Sequence, residues 1–108
     1  MLRWLLACVS VASFASAYAQ TVDVPPELWD RPRTGRVILE HENVRRAINL
    51  GLETPDAQIV IHHANGQEPL LQAEELKSWL TALAVDSRRI ALRAGGAAGS
   101  PLRIEIVP

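Results

Sequence analysis

Residues 59–90 read IVIHHANGQEPLLQAEELKSWLTALAVDSRRI: an apolar run, a turn, a long amphipathic pattern and a second apolar run. Leu76, Trp79, Leu80 and Leu83 recur at i, i+3, i+4 and i+7, with Ala73 one turn earlier, so they form one apolar helix stripe. Glu74, Glu75, Lys77, Ser78 and Thr81 take the opposite face. Pro69 suits the first turn, where its missing N–H has no intrahelical partner to lose. Glu74 and Glu75 suit the positive end of the helix dipole. Ile59-Val60-Ile61 is short and β-branched, which selects strand over helix. Asn65-Gly66 supplies the turn between strand and helix. The unit is strand, helix, strand.

Outward from this unit, the chain of 108 residues has room for one domain. Residues 1–19 have the three parts of an export signal. Met1-Leu2-Arg3 is a positive start, Trp4 to Phe14 an apolar stretch, and Ala17-Tyr18-Ala19 a small-x-small cleavage site before Gln20. The apolar stretch is shorter than the ~20 residues that span a bilayer. The expected location is therefore the periplasm, as a soluble exported protein. Cys8, after Leu5-Leu6-Ala7, is the lipoprotein alternative, although cleavage there leaves almost no apolar stretch ahead of it. Removal of residues 1–19 takes Arg3 and leaves 89 residues with ten Lys or Arg and twelve Asp or Glu. So even a balance gives no electrostatic case for nucleic acid or an anionic membrane surface. Cys8 is the only cysteine, so the mature domain has neither a disulfide nor a thiolate nucleophile.

In chain order, residues 20–34 form a lead-in whose Pro25, Pro26 and Pro32 exclude regular structure, with Trp29 pinning it to the domain. The domain proper is expected over 35–108. Val37-Ile38-Leu39 reads as a short strand, and Val44, Ala47 and Ile48 then follow at helical spacing. A single helix from Arg36 onward is the competing reading, because no strong breaker separates Leu39 from Val44. Gly51 fits the left-handed position after a helix end. A turn over residues 53–56 leads into the central strand, about Gln58 to His62. After the main helix, Asp86-Ser87 turns into a strand over 88–93. Residues 94–101 are too glycine-rich for either element. Leu102, Ile104 and Ile106 alternate with Arg103, Glu105 and Val107 as a half-buried strand. The last two strands read as an antiparallel hairpin. The predicted fold is β-α-β-α-β-β, an α/β (α+β two-layer) domain with two helices on one face of a mixed four-stranded sheet.

No motif selects catalysis. His41-Glu42 and His62-His63 invite a metal reading, but adjacent residues on a strand face opposite ways. One ion would need His41 or a carboxylate brought close by the fold. His63 and Asn65 remain candidates because open α/β sheets bind ligands at the carboxyl ends of their strands. The loop Gly95 to Ser100 lacks the lysine and the following helix of a phosphate loop and reads as a connection. There is no nucleophile elbow and no supported Ser/His/Asp order. No catalytic residue, metal site or cofactor is predicted.

Two patches carry a resemblance. Trp79-Leu80-Thr81-Ala82-Leu83-Ala84-Val85-Asp86-Ser87-Arg88-Arg89-Ile90 is similar to a helix end and strand start of the type Y-L-x-x-x-G-V-x-x-x-R-I. Ile61-His62-His63-Ala64-Asn65 sits where the same pattern has a strand running into G-H-T-D. Both resemble the C-terminal, peptidoglycan-associating domains of OmpA-like proteins, over about Gly35 to Val107. The resemblance implies the β-α-β-α-β-β order, an envelope location and a ligand region at His63, Asn65 and Gln72. In the family an aspartate and an arginine hold the diaminopimelate group; here their positions carry Asn65 and Gln72, and the intervening loop is shorter. The expected function is a small exported, non-enzymatic binding module of the cell envelope without the usual peptidoglycan grip. The alternative is an accessory subunit that docks an envelope protein through its helix face or through an edge strand at Leu102 to Val107.

Overall fold

The computed structural model of the chain describes residues 19–108; the predicted signal segment lies almost wholly outside them, as does Cys8. Four strands and three α-helices follow one another in the order β1 (Gln20–Asp23), α1 (Gly35–Glu40), α2 (Glu42–Glu53), β2 (Gln58–Ala64), α3 (Gln67–Ala82), β3 (Ile90–Gly96), β4 (Arg103–Val107). Short 3-10 turns occupy Pro26–Asp30 and Ser87–Arg89. The sheet is mixed, in the order β1-β4-β2-β3. β2 runs parallel to β3 and antiparallel to β4, and β4 runs antiparallel to β1. This is the predicted α+β class, with a different strand in first place.

The unit from β2 to β3 forms as its sequence dictates. Ile59 lies opposite Ile90 and Ile106, and Ile61 opposite Ile104, so strand alternation stacks all five on one face. Ala73, Leu76 and Leu80 of α3 are buried against that face. Trp79 and Leu83 pack only partly buried at its margin, so the centre of the stripe is Leu76 and Leu80 rather than Trp79. Leu28, Ile38, Val44, Ala47 and Ile48 complete the cluster from the N-terminal side.

α3 begins at Gly66, whose φ of 125° only glycine adopts readily. The helix therefore starts at Gln67, and Glu74 and Glu75 lie two turns in, beyond the reach of the dipole end. Glu68 occupies the first turn instead. At the other end Val85 N–H donates to Leu80 O (3.0 Å) and Ala84 N–H to Thr81 O (3.2 Å), a Schellman closure. Its left-handed residue is an alanine, Ala84, at φ 83°.

The N-terminal half departs from expectation. Val37-Ile38-Leu39 is helical, because the Thr34 side chain accepts from Val37 N–H at 3.2 Å and starts α1. The competing reading, a helix from this point onward, is the nearer one, but His41 in extended conformation (φ −79°, ψ 110°) divides it into α1 and α2. The missing strand is supplied by the lead-in: Gln20–Asp23 pairs with Arg103–Ile106 despite the prolines that follow. Leu28 is fully buried and anchors the lead-in more deeply than the half-buried Trp29.

Two further expectations are corrected. Gly51 lies inside α2 at ordinary helical φ; a Cβ there would stand 3.0 Å from Ile59 Cδ1, so the glycine permits close helix–sheet approach. The last two strands form no hairpin, since β2 lies between them. β3 returns parallel to β2 through α3, while β4 inserts between β1 and β2, leaving Leu102 to Val107 without a free edge. β3 also runs on to Gly96, through a bulge at Gly95 where the register shifts between His63 and Ala64.

Candidate functional site

A groove of about 590 Å³ opens where β2 ends and α3 begins. Its walls are Trp29 and Arg33 of the lead-in, Gln72 and Glu75 of α3, and Pro101 and Leu102 before β4. The lead-in reaches it because Leu28 is buried in the core and Val24 N–H donates to Leu102 O at 2.8 Å.

One guanidinium organises the groove. Arg33 grips Glu75 with both arms of its fork: Nε donates to Oε2, and Nη2 to Oε1 at 2.9 Å. Its remaining nitrogen, Nη1, donates to the carbonyls of Trp29 (3.2 Å) and Arg31 (3.0 Å). The guanidinium carbon stands 5.2 Å from the Trp29 ring centroid, within cation–π range. Trp79 Nε1–H donates to the same Glu75 carboxylate at 3.2 Å. The hydrogen bond that Arg33 donates to Glu75, and the charge of that carboxylate, hold the Arg33 guanidinium above its ordinary proton affinity. Glu75 is thus a node that ties residues 29–33 to α3. It is the carboxylate that pairs with Arg33, the only arginine among the described residues of the lining, so that cation is spent within the protein.

The three residues singled out in the sequence do not converge. Gln72 lines the groove. Asn65 is exposed in the turn after β2 and does not line it, although its neighbour Ala64 does. His63 is buried, and its Nδ1–H donates to Ala64 O at 2.9 Å. Strand alternation separates the adjacent histidines as expected: His62 emerges on the open face of the sheet, where its Nε2–H donates to Glu105 Oε1 at 2.9 Å. His41 sits at the α1–α2 junction with Nε2 buried and without a partner among the described residues. Among the described residues no three His, Cys, Asp or Glu side chains are grouped as metal ligands. Trp29, Arg33 and Glu75 were not foreseen as a set. Only the i, i+4 spacing of Trp29 and Arg33 hinted at part of it; Glu75 lies 42 residues further on.

A second arginine, Arg89, serves the fold. Its Nε donates to Ala57 O (2.9 Å) and Nη2 to Gly51 O (2.8 Å) and Thr54 O (2.6 Å). It thereby satisfies carbonyls that the end of α2 leaves without intrahelical donors. Comparison with protein families, with curated proteins and with solved structures finds no match to this chain.

Proposed function

We propose that the chain is a small exported, non-enzymatic binding module of the cell envelope, similar to OmpA-like domains but lacking their grip on diaminopimelate. The observation that carries this reading is the state of charge in the groove. A zwitterionic diaminopimelate group needs a free cation and a free anion. Asp30 and Glu68 supply carboxylates to the lining, but its only guanidinium among the described residues, Arg33, is locked on Glu75, and the two positions that carry charge in the family hold the neutral amides Asn65 and Gln72. A neutral amide replaces neither a charge-assisted hydrogen bond nor a bidentate fork.

Three features support the kinship itself. The element order is β-α-β-α-β-β when α1 and α2 are taken as one interrupted helical segment. Ala84, at the glycine of the helix-end pattern, adopts the positive φ that glycine favours. Arg89, at the arginine of that pattern, caps α2. No helix among the described residues is long and apolar enough to cross a membrane.

The second reading, a subunit that docks an envelope protein, keeps only its helix-face form, since β4 is interior. It is favoured by Leu70 and Leu71, exposed in the first turns of α3, with Leu71 also lining the groove.

The test is a titration of protein recovered from the envelope compartment, whose intact mass should lack residues 1–19. Muropeptides containing diaminopimelate are added and the indole N–H signals of Trp29 and Trp79 followed by NMR. Weak, non-saturating shifts are expected, strengthened in the double substitution Asn65→Asp, Gln72→Arg. Tight saturation of the parent protein would refute the lost grip. A retained, lipid-bearing Cys8 would refute soluble export.

A further inference from the structure

The open face of the sheet holds a row of side chains that spans all four strands. By register, Asp23 of β1 lies opposite Arg103 of β4, Arg103 opposite His62 of β2, and His62 opposite Arg93 of β3. Arg93 and Arg103 thus flank His62 on the same face, two strand spacings or about 10 Å apart. Long side chains from both sides can meet over the imidazole. Neither guanidinium has a carboxylate within ion-pair distance among the described residues. Glu105, the next residue of β4 on the same face as Arg103, already accepts from His62.

The row opens into a cavity of about 510 Å³ that the glycine-rich loop closes. Gly95 is the extra residue of the bulge, so its peptide stands outside the ladder, and its φ of 141° suits glycine alone. Ser100 packs against Gly96 at ordinary contact distance, its hydroxyl 3.5 Å from the position a Cβ would take there. The loop therefore brings a hydroxyl and a strand-end backbone to the cavity that both arginines line. Two cations about 10 Å apart on one face of a sheet repel one another. An anion between them removes that repulsion.

We propose that this cavity binds a phosphate group of a monoester, clamped by the forks of Arg93 and Arg103 over His62, with Ser100 donating from the loop. Two guanidinium forks match the several oxygens and double charge of a phosphomonoester better than a single carboxylate. Asp23 at the far end of the row opposes the ligand and limits its affinity. This site is separate from the groove and does not depend on the reading given for it.

Inorganic phosphate is the first probe, with the exported protein followed by amide NMR. Saturable shifts are expected over residues 93–97 and at Ser100. Affinity should fall about tenfold in Arg93→Gln and in Arg103→Gln, the loss of one charge-assisted contact. It should rise in Asp23→Asn and stay unchanged in Arg45→Gln, an exposed residue of α2. Thermal midpoints of the variants verify folding; Arg93→Lys and Arg103→Lys, which keep charge without the fork, replace any variant that fails to fold and should weaken binding less. Absence of saturation, or equal losses in Arg45→Gln, would overturn the site. Flotation with phosphatidylcholine vesicles containing either phosphatidate or phosphatidylglycerol distinguishes the source. Capture by phosphatidate alone assigns a lipid phosphomonoester, and no capture beside phosphate binding assigns a soluble one. Equal capture by both, unaffected by the arginine substitutions, would overturn the proposal in favour of general surface charge.

Discussion

The helix side of the molecule and the open face of its sheet use the same residue type in opposite ways. On the helix side Arg33 and Arg89 are engaged within the protein: one carboxylate and five carbonyls accept from them. On the open face Arg93 and Arg103 have no side-chain acceptor among the described residues, although they stand beside a histidine and a cavity. A guanidinium whose donors are all engaged holds the fold together and has little left for a ligand. One whose donors face solvent contributes little to folding and is free to bind. Arg88 is intermediate, paired with Asp86 at 2.8 Å but exposed. Stability should follow this ranking.

Arg89→Met keeps the apolar stem and removes the donors to Gly51 O and Thr54 O at the end of α2 and to Ala57 O before β2. Urea unfolding should show a loss of about 2–3 kcal/mol. A loss no greater than that of an open-face arginine would break the comparison. Glu75→Gln comes next. It leaves Arg33 without its countercharge in a half-exposed setting, where screening reduces the effect to about 1 kcal/mol. The same substitution frees Arg33, so any gain in binding of carboxylate ligands at the groove would sharpen the account.

The Asp86–Arg88 pair should matter at neutral pH and cease to matter in acid. The hydrogen bond from Arg88 lowers the Asp86 pKa from 3.8 to about 2. Its contribution is thus present above pH 3.8 and lost as pH falls toward 2. Asp86→Asn should lower stability slightly at neutral pH, leave it unchanged near pH 2, and so flatten the acid limb of the melting curve between those values. Last in rank, Arg93→Gln and Arg103→Gln should each change stability by less than about 0.5 kcal/mol.

The legible and illegible parts of the fold divide along similar lines. β2, α3 and β3 were readable because periodicity, turn and cap all agree within 32 consecutive residues. Val37-Ile38-Leu39 misled because three β-branched or aliphatic residues in a row fit either element, and one Thr34 hydroxyl decides for helix. Gln20–Asp23 carries no local signal at all: only Val22 of the four is buried, and β4 recruits the strand across 80 residues. The expected hairpin rested on sequence neighbours pairing, a tendency that long-range insertion of β4 overrides. Gln72 was legible as a lining residue through the family pattern. The Trp29–Arg33–Glu75 set and the Asp23–Arg103–His62–Arg93 row both depend on contacts between distant segments. Composition, near neutral overall, conceals the local cation pair.

The central proposal, that the groove's cation is spent and that the domain does not grip peptidoglycan, is tested most directly by sedimentation with purified diaminopimelate-type sacculi. Several kcal/mol of missing charge-assisted contacts, on the order of a thousandfold in affinity, predict that the protein stays in the supernatant. Strong, saturable co-pelleting, unaffected by substitution of Gln72, would contradict it.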